Sequence, residues 1–409
     1  MYRLIPLILL WLIACQRQPG LKEALQNQAL QDQLMGMSVV LIEDDTIKLA
    51  ESVGWMDAQE QIPLQPETKF RIASISKTIT TIAILQLVER DSVDLDLDVS
   101  TYLGWILRNP NFPQHPITLR LLLSHQSSIR DGSGYGDYLS HMHIKQLNIN
   151  QLFVPDSAYF SSDMFAQEMP GSSFSYSNSA WGLVASIVER RSGQTFDAYC
   201  RQHIFKPMGL SASYNVRHIA DSMLSPLFRY KDGGWVPQVD DYSQSEKPQL
   251  MYSTYQPGTN GLIFAPQGGV RASALDLAAL AIMLMNDGTY QGQQILKPQS
   301  AKMMMSPQWQ YNGQNGDTWN DFFRSYGLGT HILTNSDSAD YIFPEYQMMG
   351  HAGIAYGLLS DMYFDPIAKT GIVFITNGSK NEFEYAKSSS FYQVEQNVFQ
   401  ICHLYLKDR

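Results

Sequence analysis

Apolar strand-like runs lie at the two ends of this chain and helical periodicity fills its middle. That distribution constrains the fold more than any other feature. Near the start, MGMSVVLIEDDTIKLAESVGWMD sets two apolar runs around Asp44-Asp45, which reads as a hairpin. Near the end, YGLLSDMYFD and TGIVFITNG flank PIAK and read as a closing hairpin. Between them, FRIASISKTITTIAILQLVER repeats apolar residues at helical spacing through Ile75, Ile79, Ile82, Leu85 and Val88. SNSAWGLVASIVERRSG is a helix ending at Gly193, and TFDAYCRQHIFKPMGL another, stopped by Pro207 and Gly209. SALDLAALAIMLMNDG is a strong helix, KPQSAKMMMSP a shorter one, and SSSFYQVEQNVFQICHLYLK an amphipathic helix near the C-terminus. Residues 131–170 lack periodicity and read as an irregular insertion with short helices, and 213–270 as loop and strand. The expected class is therefore α+β. An antiparallel sheet is built from the N- and C-terminal parts, flanked by helices, with an inserted all-helical subdomain over roughly 78–325. A cleft would fall where the two parts meet.

With 409 residues and 44% hydrophobic side chains the chain can bury a large core. Its 29 basic and 39 acidic residues give a net charge of −10 with no basic run, which argues against nucleic acid as a partner. Beyond Cys15 only Cys200 and Cys402 occur. An exported protein could pair them, but both fall in helix-like segments far apart, and a core of this size does not need the bridge.

The first residues, MYRLIPLILLWLIAC, hold one basic residue, an apolar run too short to span a bilayer comfortably, and a cysteine after the small Ala14. Leu12-Ile13-Ala14-Cys15 resembles the lipobox of bacterial lipoproteins. That resemblance implies a signal peptide over 1–14 and lipidation of Cys15; after it QRQPGLKEALQNQALQDQL reads as a short tether followed by a polar helix, with the tether placed over 15–30 and one domain over 31–409. The plainer alternatives are an ordinary cleaved signal and an uncleaved anchor. Gln16, which is not an aspartate, leans the sorting towards the periplasmic face of an outer membrane, or the cell surface in a host with one membrane.

Ser74 and Lys77 stand three apart at the start of the Phe70–Arg90 helix, where a core helix needs neither. A serine in a first helical turn keeps its own amide free to stabilise an oxyanion. A lysine on the same face reaches the serine oxygen, and burial together with the positive end of the helix dipole disfavours its charge. This is an arrangement for nucleophilic catalysis. Tyr176-Ser177-Asn178 forms a turn before the next helix. A tyrosine beside an ammonium can have its pKa lowered and shuttle a proton, and the asparagine offers donor and acceptor to an amide. His351-Ala352-Gly353, in MMGHAGIAYG, precedes the closing hairpin, where a glycine-containing edge strand lets backbone approach a ligand and supply a second oxyanion donor.

Taken in this order, the three elements resemble the serine β-lactamase and penicillin-binding-protein superfamily, in particular its class C-like branch. ITLRLLLSHQSSI and GGVRASALDLAALAIMLMNDG extend the likeness along most of the chain. The resemblance implies Ser74 as nucleophile, Lys77 as adjacent base and Tyr176 as proton shuttle. It makes Asn178 a contact of the substrate amide and the lysine, places His351 and Gly353 in substrate binding, and builds the oxyanion hole from the amides of Ser74 and Ile354. The third motif is His-Ala-Gly in place of the Lys-Thr-Gly of true β-lactamases. A histidine largely neutral near pH 7 weakens the case for recognising a carboxylate there. Ser128 stands where the family usually shows glycine, and His125 reads as a buried structural histidine.

No cofactor or metal is expected. His141-Met142-His143 lacks a third ligand, DSVDLDLDVS lacks the glycine and terminal glutamate of a calcium loop, and no Gly-x-Ser-x-Gly elbow occurs. The expectation is a membrane-tethered serine hydrolase cleaving a small-molecule or peptide amide or ester through a Ser74 acyl-enzyme. DD-peptidase, D-amino-acid amidase and esterase chemistry all remain open, as do β-lactamase activity proper and a catalytically silent protein that binds peptides or wall fragments. The oligomeric state is not legible.

Overall fold

The computed structural model describes residues 20–142, 145–239, 254–335 and 340–407. Residues 1–14, expected to be a signal peptide, Cys15 and His143 lie outside them. Nine strands form one antiparallel sheet: β1 (Gly36–Glu43), β2 (Thr46–Asp57), β3 (Ile62–Pro63), β4 (Trp309–Gln310), β5 (Ser325–Tyr326), β6 (His331–Ile332), β7 (Met349–Ala355), β8 (Leu358–Asp365) and β9 (Thr370–Thr376). Their order is β4-β5-β6-β7-β8-β9-β1-β2-β3, so the two ends of the chain meet where β9 pairs with β1, Met37 opposite Thr376. The hairpin turn between β1 and β2 is made by Asp44 and Asp45, both left-handed at φ +50° and +51°.

β8 and β9 are buried along their whole length because both faces of the sheet are covered. On one face Val39, Leu41, Ile372 and Phe374 join Leu21, Leu25 and Ala29 of α1 (Leu21–Gln31). On the other, Val40, Ile42, Val373 and Ile375 join the main core, which includes α2 (Ser76–Val88), α3 (Ser179–Ser192) and α4 (Ala274–Met285). α5 (Gln393–Lys407) adds Val398, Phe399 and Cys402 to the first face. Each fully buried aliphatic side chain contributes about 1.5–3 kcal/mol.

α1 corrects the expected tether. It looks polar, yet Leu21, Leu25 and Ala29 at four-residue spacing give it a buried stripe, so the folded domain takes in residues from Leu21 rather than from residue 31. The span between β3 and β4 is mainly helical and also carries a hairpin, Leu227–Lys231 with Gly234–Gln238, turned at left-handed Asp232 and Gly233 and paired in parallel with Gly378–Ser379. Helix α4 lies within that span but packs on the sheet. Its first turn is a reciprocal cap of Ser273 and Asp276, and Asp276 also takes the buried Lys69 ammonium. Cys200 and Cys402 are free, buried thiols in separate cores. In DSVDLDLDVS, Asp96 and Asp98 are ion-paired with Arg120 and Arg108.

β7 meets β6 only at Met349 and Gly350. Its remaining residues pair with β8 on one side and leave the other edge towards the start of α2, which is where the cleft lies.

Candidate active site

A short strand, Phe70–Arg71, pairs with Arg271–Ala272 and delivers the chain to Ala73, whose φ of +46° is unusual for a residue with a Cβ. That left-handed residue turns the strand into a single 3-10 turn, Ala73–Ile75, from which α2 continues at Ser76. Ser74 thus sits in a tighter turn just ahead of the α-helix, and its spacing to Lys77 is preserved.

Lys77 Nζ donates to Ser74 Oγ at 3.0 Å, to Asn178 Oδ1 at 2.8 Å and to the Gln267 carbonyl at 3.0 Å. Three acceptors match the three protons of an ammonium, and a neutral amine in the same place can instead accept the serine proton. Burial lowers the Lys77 pKa to about 7, with the Asp131 charge pulling the other way.

Asn178 reaches Lys77 because Asp131 holds it. The carboxylate accepts from the Asn178 amide at 2.9 Å, from Asn178 Nδ2 at 2.9 Å and from the Ser179 amide at 2.8 Å, capping the start of α3. Both ends of the Asn178 carboxamide are therefore used inside the protein. Asp131 was not legible as a site residue, since nothing near it in sequence marks it. Gln267 was missed as well: it lines the cleft, and its Oε1 has no hydrogen-bond partner among the described residues.

The expectation for Tyr176 is corrected in one respect. Desolvation raises its pKa, against a hydrogen bond to Ser74 that lowers it, so the phenol keeps its proton in this arrangement. Its ring is packed against His125 (4.3 Å between centroids), Trp319 (4.8 Å) and Phe323 (5.1 Å, stacked). His125 is the buried structural histidine expected: Nδ1 accepts from the Ser177 amide at 3.2 Å. Trp319 carries a left-handed backbone, as do Asn320 and Asp321, and this loop lays the indole on Tyr176. Ser128 also sits at φ +62°, a conformation glycine adopts more cheaply.

His351 is buried. Its Nδ1 donates to the Ala352 carbonyl at 2.6 Å and its Nε2 accepts from the Tyr326 hydroxyl at 2.9 Å. Burial first, and then the Lys77 charge, hold it well below the ordinary histidine pKa. Both nitrogens thus face protein groups, which differs from the substrate contact expected of this position. Gly353 is needed for approach: a Cβ there would lie 2.6 Å from the Ile72 carbonyl and 2.9 Å from the Ser74 nitrogen. Ser360 Oγ on β8 ties the same corner by donating to the Ile72 carbonyl at 3.0 Å.

Ser74, Asn178, Gln267, Gly268, Ile354 and Ala355 line an open cleft of about 310 Å³, together with Arg71, Arg229 and Tyr356. Ser74 and Ile354, the two residues expected to donate oxyanion amides, thus share its wall. No group of three His, Cys, Asp or Glu side chains among the described residues is placed to hold a metal ion.

The family model described as Beta-lactamase matches residues 21–391. Penicillin-binding protein 4* of Bacillus subtilis is 26% identical over 360 residues, covering 85% of this chain and 70% of that protein. Protein flp of Staphylococcus aureus is 23% identical over 194 residues, 47% of this chain, and that match covers only 37% of flp. Among solved structures, a penicillin-binding protein homologue from Pyrococcus abyssi superposes with a TM-score of 0.68 at 22% identity, over 95% of this chain and 77% of that one. D-amino acid amidase from Ochrobactrum anthropi gives 0.66 at 18% identity, over 95% and 98%. At these identities the structural likeness is one of fold.

Proposed function

The chain belongs to the beta-lactamase family of serine hydrolases, and on that premise we propose that it cleaves an amide or ester through an acyl-enzyme on Ser74. The observation that carries this reading is the buried Lys77 amine, 3.0 Å from Ser74 Oγ and with its pKa brought to about 7. In its neutral form Lys77 takes the Ser74 proton as the oxygen attacks the carbonyl carbon. The resulting oxyanion forms against the Ser74 and Ile354 amides. Tyr176, protonated and bonded to Ser74, gives its proton to the leaving group and recovers one from the Lys77 ammonium that formed when Ser74 was deprotonated. Water then releases the acyl group by the reverse proton path. Gln267, whose Oε1 has no hydrogen-bond partner among the described residues, lines the cleft and could receive a substrate N–H.

A D-amino-acid amide, a wall-type peptide or a simple ester fits this chemistry better than a β-lactam does, because the third-motif histidine is neutral and turned inward. The relatives named for penicillin binding and D-amino acid amidase activity support an amide substrate. We also assign residues 1–14 to a signal peptide and Cys15 to lipid attachment, which would hold the enzyme at a membrane outside the cytoplasm. Labelled fatty acid is then expected to enter the chain and to be lost in Cys15→Ser, and equal labelling of both proteins, or of neither, would overturn that assignment.

The test of the chemistry is intact-protein mass spectrometry of the detergent-purified chain with an activated ester and with a penicillin, beside Ser74→Ala. A serine-dependent acyl adduct or ester turnover is expected with the ester. Turnover equal in Ser74→Ala, or absent from both proteins, would sink the reading.

A further inference from the structure

The segment that carries Tyr176 is laced to a loop with no part in the chemistry so far. Between the paired strands β4 and β5 the chain runs out and back over residues 311–324, and a connection of that length in a compact domain is usually kept for function. The loop lies along Phe174, two residues before Tyr176. The Phe174 amide donates to the Asn315 carbonyl at 2.9 Å, and the Asp317 amide donates to the Phe174 carbonyl at 3.1 Å. Gly316 allows that approach, since a Cβ there would lie 2.7 Å from the Phe174 Cβ. The Trp309 indole N–H also donates to the Asn315 carbonyl, at 3.0 Å.

Beyond Asp317 the backbone turns sharply. Trp319, Asn320 and Asp321 are all left-handed, at φ +46°, +56° and +64°. Asparagine and aspartate take that conformation readily, and a tryptophan does not. The turn is nonetheless held firmly: the Trp319 amide donates to Asp317 Oδ1 at 3.0 Å, the Phe323 amide to the Thr318 carbonyl at 2.9 Å, and Asp321 pairs with Arg324 at 3.1 Å. Strain fixed at one bulky residue beside a reacting group points to a use for its side chain. The effect here is to set the indole against Tyr176, 4.8 Å between ring centres, and against Phe323 at 5.7 Å. Phe323 is buried, whereas Trp319 stays 44% exposed and so forgoes much of the free energy that burying an indole would supply.

Its place relative to Ser74 decides what the indole can meet. Ser74 shares its cleft wall with Gln267, Ile354 and Ala355, and Tyr176 and Trp319 stand outside the residues that line it. Tyr176 reaches Ser74 through its hydroxyl instead. When Ser74 attacks, the bond that breaks is the one to the leaving group, whose departing oxygen or nitrogen takes its proton from Tyr176. The leaving group therefore separates beside the Tyr176 ring, and the indole is the next surface out.

We propose that Trp319 is a leaving-group shelf: its open face stacks on a ring attached to the departing atom, so that the substrates are amides and esters with an aromatic or flat apolar group on the leaving side. The inference rests on the Ser74 hydrolase reading for its reaction, while binding of a ring to the indole stands apart from it. The indole exchanges no proton or electron with the substrate. It holds the leaving group against its proton donor.

The test uses three acetate esters that give the same acyl-enzyme and differ only in the leaving group: 2,2,2-trifluoroethyl, phenyl and 2-naphthyl. Each kcat/KM is normalised to alkaline hydrolysis of the same ester. The normalised value is expected to rise along that series, by roughly tenfold from first to last, the size of a good ring stack. Trp319→Ala should bring the three within about twofold of one another, and Trp319→Phe should keep part of the rise. No rise in the unaltered protein, or one that survives Trp319→Ala, overturns the shelf. So does an equal loss on all three esters, which would make Trp319 a support for Tyr176 alone. Calorimetric binding of 2-naphthyl acetate to Ser74→Ala, with and without Trp319→Ala, separates the two readings. If no ester turns over in a Ser74-dependent way, the hydrolase reading falls, and an affinity that Trp319→Ala weakens still supports the shelf. If the esters turn over and binding ignores Trp319, the hydrolase stands and the shelf does not.

Discussion

Lys77 Nζ stands over the face of the Tyr176 ring, 4.7 Å from its centre, while the Tyr176 phenol is hydrogen-bonded to Ser74. Ser74 is thus approached from two sides by groups whose environments push their pKa values apart. Desolvation lowers the amine to about 7 and raises the phenol. Such a separation assigns roles: the amine accepts a proton near neutral pH and the phenol holds one to give.

Acylation should therefore titrate with Lys77. The neutral fraction grows as pH rises through about 7 and falls tenfold per unit well below it. Stopped-flow release of phenol from an activated ester should show a single acid limb centred near that value, with a plateau above. His125 and His351 are lowered well below 6.5, so neither supplies this limb. A limb at the ordinary lysine value of 10.5 would mean that burial does not lower the Lys77 amine.

Asp131→Asn moves the same limb in a stated direction. The Asp131 charge raises the Lys77 pKa, so its removal should shift the limb to lower pH. The carboxamide can still accept some of the bonds now made to Asn178 and Ser179, but without charge. Thermal unfolding should then show a loss of about 1–2 kcal/mol from the start of α3. An unmoved limb would mean that the two groups are not coupled.

Tyr176→Phe keeps the packing against His125, Trp319 and Phe323 and removes only the hydroxyl. Proton transfer to and from reacting groups is typically worth 10²–10⁴-fold, so amide turnover should drop by about that factor. Esters with good leaving groups need less protonation and should lose less. A burst of acyl-enzyme followed by slow release is the expected trace, and an equal loss on both substrate types would assign the hydroxyl to positioning instead.

What could be read from the chain was what local periodicity and spacing encode. The hairpin at Asp44-Asp45, the apolar pattern of α2 and the three-residue step from Ser74 to Lys77 are all short-range. The left-handed φ of Ser128 answers to a family position usually held by glycine, so a departure in sequence marked a real backbone demand. Tyr176 shows where such reading stops. The neighbouring ammonium was legible and argued for a lowered pKa, but the larger effect, desolvation, belongs to the assembled core. Asp131, Gln267 and the Trp319 loop were missed because each acts across elements far apart in sequence. α1 was legible as a polar helix but was left outside the domain, because a stripe of three small and aliphatic residues is weak until α5 and the sheet are there to receive it.

A buried carboxyl pair ties the sheet to the C-terminal helix. Asp361 on β8 and Glu395 in the first turn of α5 are both buried and close enough for each to shift the other's titration; neither Asp361 oxygen has a hydrogen-bond partner among the described residues, and Glu395 Oε2 accepts from the Tyr392 amide at 2.7 Å. Two neighbouring buried carboxyl groups resist ionising together, so at least one holds a proton. Burial raises both pKa values, taking Glu395 from 4.5 to about 7. Because the folded value lies above the unfolded one, the protonated pair stabilises the fold fully below pH 4.5, and that contribution is lost as pH rises through about 7. Asp361→Asn supplies a permanent amide donor to Glu395 and needs no shared proton. Measured by urea unfolding at pH 5, 6, 7 and 8, the stability of Asp361→Asn relative to the unaltered protein should therefore improve with rising pH, by roughly 2–3 kcal/mol across the range. A difference that stays constant with pH would mean that the pair does not share a proton. One that moves the other way would mean that Asp361 is ionised in the fold and held by a group other than Glu395.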